Sequence, residues 1–419
     1  AAHVAALIED GSCLAFSIGP FYEALAKNLA GKRHLGVHSP FFTDALMDLM
    51  RSGAADNRRK GTYRGKALTS YAMGSQALMD WLDHNPLVEF QRIDKVFAPD
   101  IIGRNPNFVT VIPAHQVDLY GRIGLRLGRK HLMTGPAEVM DFFNGAERSA
   151  GGRTIFALTS RDAEGRGHIR VSIADHPALF GRYESVQTVV TEHGIACLEG
   201  HTIRQRAQLL IDIAHPDDRA ELVAQAKAAN ILYPDQIFIA ESARLYPADI
   251  ATTETFRNGL KVHFRAIKPS DEEEMRRLFY RFSNETVYYR YFGSIGAMPH
   301  AKMQGYVNVD WTQVMSMVGV VGAPETGRII TEARYIRIPG TTGAEVVFVV
   351  DEACQGLGIA TFLYRLLIRL ARERGIMEFS AEVLFSNTAM MKVFRKGELP
   401  VKAVLEAGVY HLTIPLKKP

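Results

Sequence analysis

The feature that most constrains this chain is one junction in its last third. Ala344 to Val350 is a β-branched apolar run with a single charge, Glu345. It passes through Asp351-Glu352-Ala353-Cys354-Gln355-Gly356-Leu357-Gly358-Ile359-Ala360 into a helical pattern with Leu363, Leu366, Leu367 and Leu370 on one face. A strand that feeds a glycine-containing loop and then a helix N-terminus makes a phosphate cradle. The glycines admit an anion close to backbone N–H groups, and the helix dipole favours its charge. Gly356 and Gly358 taken alone fit an ordinary strand-to-helix turn equally well.

Upstream, strand-like and helix-like segments alternate. Cys13 to Ile18, His34 to His38, Ala67 to Ala72 and Phe108 to Ile112 are short apolar runs that predict strands. Between them, Phe21 to Ala30, Phe42 to Met50 and Gln76 to Leu82 have helical apolar spacing, with Gly31 and Gly53 as stops. Ile203 to Ala214, ended before Pro216, and Ala220 to Ala229 predict two more helices. Such alternation implies a largely parallel, helix-covered α/β sheet over residues 1–240. Residues 241–258 hold Pro247, several threonines and no clear period, and read as a linker. The organisation then restarts over 259–419. Leu260 to Ile267 alternates as a strand, and Ser270 with Glu273 reads as a capping box for a helix over Asp271 to Tyr280.

A chain of 419 residues exceeds one ordinary core, which agrees with two domains. Lys+Arg 49 against Asp+Glu 45 leaves a net charge of +4, compatible with a polyphosphate ligand but no nucleic-acid footprint. No apolar run approaches the ~18 residues that span a bilayer, so no membrane role is expected. Three scattered cysteines, Cys13, Cys197 and Cys354, point to a reducing, cytoplasmic compartment. The first residues, Ala1-Ala2-His3-Val4, have no basic region of a signal peptide and no Met.

Gln355-x-x-Gly358-x-Ala360 resembles the pyrophosphate loop of the GNAT acetyltransferases, whose loop holds acyl-CoA. The similarity runs over residues 260–415. Arg265-Ala266-Ile267-Lys268-Pro269 with Asp271-Glu272-Glu273 resembles that family's first strand and helix. Ser283-Asn284-Glu285-Thr286 with Tyr288, Arg290 and Phe292, together with Ala344-Glu345 and with Asn387, Met390 and Met391, resembles the branch that acetylates protein lysines. The resemblance implies a mixed-sheet α/β domain, acetyl-CoA as cosubstrate and a protein lysine as acceptor. It implies CoA contacts at Val349, Val350, Gln355, Gly356, Leu357, Gly358, Ile359, Ala360 and Asn387. It also implies that the strand from Glu378 to about Ser386 splays from its neighbour to admit the pantetheine amides.

An amine near pKa 10 is protonated at neutral pH, so a general base must take its proton before it attacks a thioester. Glu345 matches the position of the family's glutamate base; otherwise it is a strand-edge charge facing solvent. The family often places a tyrosine after the following strand, whereas the helix after Asn387 offers Met390, Met391 and Phe394. Arg365, Arg369 and Arg372 lie at helical spacing. They form either a solvated basic face or a site for the 3′-phosphate of CoA. Cys354 reads as a small packing residue.

Residues 3–225 resemble the C-terminal half of the acetyl-CoA hydrolase/CoA-transferase family. The matching stretches include Leu35-Gly36-Val37-His38-Ser39, Ala72-Met73-Gly74-Ser75-Gln76, Asn85-Pro86-Leu87-Val88-Glu89, Val190-Thr191-Glu192-His193-Gly194 and Ile213-Ala214-His215-Pro216. The family's N-terminal half-domain is absent, which with the missing Met implies a piece of a longer protein. The family's nucleophilic glutamate directly follows Gly-x-His-Ser. Here Pro40 stands in that place and supplies no nucleophile. The later Gly-rich loop reads Thr134-Gly135-Pro136-Ala137-Glu138, where Glu138 is either a surface charge or a relocated carboxylate. Ala72, Met73, Gly74 and Ser75 correspond to a CoA-contact stretch.

Two histidine patterns have spacings that a metal site could use, and neither fits one. His193, Cys197 and His201 would share a helix face, but Gly194 and Gly200 interrupt it. His34 and His38 lie about 13 Å apart along a strand, too far for one metal. The reading is therefore an acetyl-CoA-dependent N-acetyltransferase joined to a degenerate CoA-transferase-like domain. The competing readings are an active acetyl-CoA hydrolase or CoA transferase, and a first domain that only senses CoA.

Overall fold

The computed structural model describes residues 1–125, 137–239, 245–291, 297–323, 327–397 and 399–416, with backbone alone at 137–138 and 290–291. The chain forms two compact units, Ala1–Leu232 and Tyr233–Pro419.

The first unit is built on a sheet whose strand order is Gly194–Cys197, Thr188–Thr191, Arg153–Ala157, Phe108–Asp118, Cys13–Ala15 and Gly36–Val37. Every neighbouring pair along this path is parallel except the hairpin of the first two. The predicted helix-covered, largely parallel sheet is present. Short all-buried strands such as Cys13–Ala15 suit a parallel sheet with both faces covered. Helices Pro20–Leu29 and Asp44–Arg51 each bury one apolar stripe, Leu25 and Leu29 in one, Leu46 and Leu49 in the other.

Three local readings differ from the sequence expectation. Ala67 to Ala72 is two strands, Ala67–Thr69 and Tyr71–Ala72, which pair with Val88–Phe90 and Phe41–Phe42 in separate small sheets. Phe42 thereby belongs to a strand and not to the following helix. Pro216 does not merely follow a helix but opens the next one, Pro216–Ala228, with the His215 ring accepting Asp217 N–H at 3.3 Å. Proline at the first helical position loses no hydrogen bond, because that N–H has no partner in the helix. Glu138's side chain and Thr134-Gly135-Pro136 lie outside the described residues.

The second unit has one eight-stranded sheet. Within it we label β1 Thr252–Thr255, β2 Lys261–Ala266, β3 Val314–Val321, β4 Arg328–Arg337, β5 Gly343–Val350, β6 Glu378–Leu384, β7 Lys402–Glu406 and β8 Val409–Pro415. The order is β1-β2-β3-β4-β5-β6-β8-β7. All pairs are antiparallel except β5 with β6. The helices are α1 Glu272–Arg281, α2 Asn284–Tyr291, α3 His300–Val307, α4 Ile359–Glu373 and α5 Thr388–Arg395. This is the expected mixed-sheet α/β domain.

The segment read as a linker joins this unit. Thr252–Thr255 pairs antiparallel with Lys261–Phe264, and the Tyr246 hydroxyl donates to the Ala266 carbonyl at 3.0 Å. The expected capping box does not start α1. A single 3₁₀ turn, Pro269–Asp271, precedes it, and the Asp271 carboxylate accepts Lys268 N–H at 2.7 Å while pairing with the buried Arg265 guanidinium at 2.7 Å.

Candidate functional site

The parallel contact between β5 and β6 is short. Gly343, Ala344 and Glu345 pair with Glu378, Phe379 and Ser380, and no pairing follows. Beyond Glu345 and Ser380 the two strands diverge, each still held on its outer side by β4 or β8. The opening between them is a cavity of about 930 Å³. Its walls include Glu345 to Val350 from β5, Ala381 to Val383 from β6, Gln355, Gly356, Gly358, Ile359 and Ala360 from the loop, and Asn387 to Met390 at the start of α5.

The loop has the features of an anion cradle. Gly356 has φ 76° and Gly358 φ 100°, left-handed conformations that favour glycine. A Cβ built at either meets no protein atom within 4 Å, so it would project into open space. Among the described residues, the N–H groups from Gly356 to Thr361 donate to no protein acceptor; the first bond of α4 is Phe362 N–H to the Gly358 carbonyl at 3.0 Å. These donors sit at the N-terminus of a 15-residue helix. Gln355 Nε2 donates to the Val350 carbonyl at 3.2 Å, so its amide ties the loop to the strand end. Cys354 is buried, and burial pushes its thiol up, away from a thiolate role.

Glu345 is exposed at the mouth of the opening, on the last paired rung. Among the described residues its carboxylate has no hydrogen-bond partner. Val349, Val350, Gln355, Gly356, Gly358, Ile359, Ala360 and Asn387 line the same cavity as Glu345. Leu357 is the exception; its side chain packs against the hydrophobic core. The Asn387 side chain also caps α5 by accepting Met390 N–H at 3.0 Å.

Further lining residues come from the turn before the cradle and from α2. Glu352 accepts Ser283 N–H at 2.8 Å and the Thr286 hydroxyl at 2.7 Å, and these bonds hold its carboxyl below the usual range. From α2 come Glu285 and Tyr289, whose hydroxyl donates to Glu285 at 2.5 Å. The cavity's tyrosine therefore comes from a helix before the sheet's centre. Lys392 and Lys396 of the α5 region line the cavity, whereas Arg365, Arg369 and Arg372 do not. Arg372 instead donates to the Leu416 carbonyl at 2.6 Å. Lysines at i and i+4 on α5 were the available signal for this basic wall.

In the first unit, Pro40 serves as a structural node. Its carbonyl accepts Tyr71 N–H at 3.1 Å, Ser70 N–H at 3.3 Å and the Thr69 hydroxyl at 3.2 Å. His38 is fully buried, with its ring bonded to the Val96 carbonyl at 2.7 Å and to the Asn105 amide at 3.1 Å; burial pushes it down to about 3. The Ser75 hydroxyl donates to Asp44 at 2.5 Å and caps the helix Gln76–Leu82 by accepting Leu78 N–H at 3.2 Å. A Cβ at Gly74 would come within 2.1 Å of an Asp44 carboxylate oxygen, so a side chain there would push Asp44 from its present place. Ala72 is half-buried and Met73 is 53% exposed.

Comparison with known proteins agrees with this division. Residues 74–226 match the family model of the acetyl-CoA hydrolase/transferase C-terminal domain, and residues 279–397 match the acetyltransferase (GNAT) family. The chain is 36% identical over 225 residues to a 4-hydroxybutyrate coenzyme A transferase of Clostridium kluyveri, covering 53% of this chain and 52% of that protein. It is 33% identical over 200 residues to the acetyltransferase Pat of Mycolicibacterium smegmatis, covering 47% of this chain and 54% of that protein. The crystal structure of RipA from Yersinia pestis aligns with a TM-score of 0.50 at 33% identity, over 55% of this chain and 51% of that one. The chain spans about half the length of these curated relatives. Among the described residues no helix is long and apolar enough to cross a membrane.

Proposed function

We propose that this chain, an acetyl-CoA hydrolase/transferase C-terminal domain followed by a GNAT acetyltransferase domain, acetylates the side-chain amine of a protein lysine with its second unit. One observation carries the reading: the divergence of β5 and β6 just past Glu345 opens into the same cavity as the N–H groups of the Gly356–Thr361 cradle. A long thioester with a pyrophosphate in its middle has this shape and polarity.

In this reading the cradle amides hold the pyrophosphate, and the unpaired edges of β5 and β6 meet the pantetheine amides. Lys392 and Lys396 face the 3′-phosphate, in place of the arginines of α4. Acetyl-CoA supplies an acyl group activated as a thioester. Glu345 accepts a proton from the incoming ammonium, and the freed amine attacks the thioester carbonyl. The tetrahedral adduct collapses with cleavage of the C–S bond; the nitrogen sheds its second proton to water to become the amide, and the departing CoA thiolate takes a proton back from water. The acidic wall of Glu285, Glu345 and Glu382 suits a cationic acceptor. The relative from Mycolicibacterium, named as an acetyltransferase, supports acetyl transfer.

The first unit is read as a binding or scaffolding domain without covalent turnover. Pro40 occupies the position of the attacking glutamate, and the Ser75 hydroxyl is committed to Asp44 and a helix cap. The direct test is incubation of the chain with acetyl-CoA and lysine-rich proteins, followed by peptide mass spectrometry. Acetyl-lysine that appears with the wild type and is lost in Glu345→Gln supports the reading. Equal acetylation by both variants removes it.

A further inference from the structure

Helix α2 has little apolar packing of its own. It is eight residues long, a length at which an isolated helix is marginal. Among its described side chains Val287 alone is buried, and Tyr288 stands 47% exposed. Yet α2 contributes Glu285, Thr286 and Tyr289 to the cavity wall.

What fixes its start is a carboxylate from the other side of the site. Glu352 lies in the single 3₁₀ turn between β5 and the cradle. One of its oxygens accepts both Ser283 N–H and the Thr286 hydroxyl, while the Ser283 hydroxyl accepts Thr286 N–H at 3.2 Å. The neighbouring Asp351 accepts from Arg281, the last residue of α1, at 2.8 Å. The two residues that lead into the cradle thus grip both sides of the α1–α2 connection. The negative charge of Glu352 also complements the N-terminus of α2.

We propose that Glu352 is a positioning residue that couples occupation of the pyrophosphate cradle to the seating of α2, and so to acceptor binding at Glu285 and Tyr289. The inference rests on the acetyltransferase reading of the cavity. An anion on the Gly356–Thr361 amides fixes the loop, and with it the 3₁₀ turn that presents Glu352. An exposed hydrogen bond survives competition from water only while both partners are held in place. Linkage makes the effect reciprocal, so a seated α2 also favours CoA modestly.

The test is hydrogen–deuterium exchange of the full chain with and without CoA, read at residues 284–291. In the wild type CoA slows exchange there by about fivefold or more, the lower range of measured couplings. In Glu352→Ala the slowing disappears, and calorimetry still finds CoA bound, with a Kd raised by about the same factor as the lost slowing. Glu352→Gln keeps one acceptor oxygen and restores part of the slowing. With poly-L-lysine as acceptor, Glu352→Ala raises KM about tenfold and changes kcat less than about twofold. Slowing that persists in Glu352→Ala, or a wild type that binds CoA with no slowing, overturns the proposal. A wild type that shows the slowing but acetylates no lysine leaves the coupling standing and removes the acceptor reading.

Discussion

Glu345 and Ser380 form the last rung of the only parallel ladder described in the second unit's sheet. One residue further along, the strands no longer bond to each other. The exposed carboxylate therefore stands where the gap begins, and a thioester lying in the gap would bring its carbonyl toward it. In the proposed role of general base, Glu345 would act on the rate and not on CoA binding. Glu345→Gln is expected to lower kcat by about 10²–10⁴. Its acetyl-CoA Kd stays within about twofold, measured by calorimetry beside steady-state kinetics. A variant with full activity and an unchanged pH profile rules the role out.

Gly358 caps α4 with φ 100° and has open space where a Cβ would point. A side chain there costs the fold about 1–2 kcal/mol of left-handed strain and enters the space proposed for the pyrophosphate. Gly358→Glu should abolish acetyl-CoA binding while circular dichroism still reports a folded chain. Unaltered calorimetric binding would show that the anion lies elsewhere.

Lys392 and Lys396 are the basic residues of the described cavity wall. Their joint replacement by glutamate should raise the acetyl-CoA Kd at least about tenfold, the size of a lost charge-assisted bond. Binding of 3′-dephospho-CoA should fall much less. Equal losses for both ligands would place the 3′-phosphate away from α5.

For the first unit, the expectation is an unchanged intact mass. Pro40 has no carboxylate, and its carbonyl is used by Ser70, Tyr71 and Thr69. Incubation with acetyl-CoA followed by borohydride should leave no reduced glutamyl residue in 1–232. A trapped adduct, at Glu138 or elsewhere, would mean that the covalent chemistry has moved.

His38 makes the stability of the first unit pH-dependent. Its imidazole is held neutral by burial, with its folded value near 3 against 6.5 when unfolded. Between those values the unfolded chain binds the extra proton, so stability rises with pH. The contribution is complete above pH 6.5 and is lost as pH falls toward 3. The loss is about 1.4 kcal/mol per pH unit at most. Urea melts of the first unit's transition at pH 4 and pH 7 measure it. His38→Gln should flatten the dependence; the same slope in that variant assigns it to other groups.

Much of the site is legible in sequence because its parts are local. The cradle is six consecutive residues, and glycines at 356 and 358 announce the backbone conformations that the loop adopts. The point of divergence is not legible. It depends on which residues of β5 and β6 pair across an intervening helix, and register carries no local mark. Glu352 carries no local mark for a similar reason: its partners, Ser283 and Thr286, are about seventy residues away. Thr252 to Thr255 carried a usable signal, since β-branched residues in a row suit an edge strand, but the surrounding polar composition concealed it. Pro216 is ambiguous in sequence, since a proline after a helical pattern marks an end and a beginning equally well.

The brevity of the β5–β6 contact has a mechanical meaning. Three rungs join five strands on one side to three on the other. The second unit is in this sense two half-sheets sharing a seam, each half firmly laddered within itself. A ligand threaded along the seam would act as a splint, adding the cross-links that the backbone leaves out. Heating without ligand should part the seam before either half melts, and saturating acetyl-CoA should merge the two events into one.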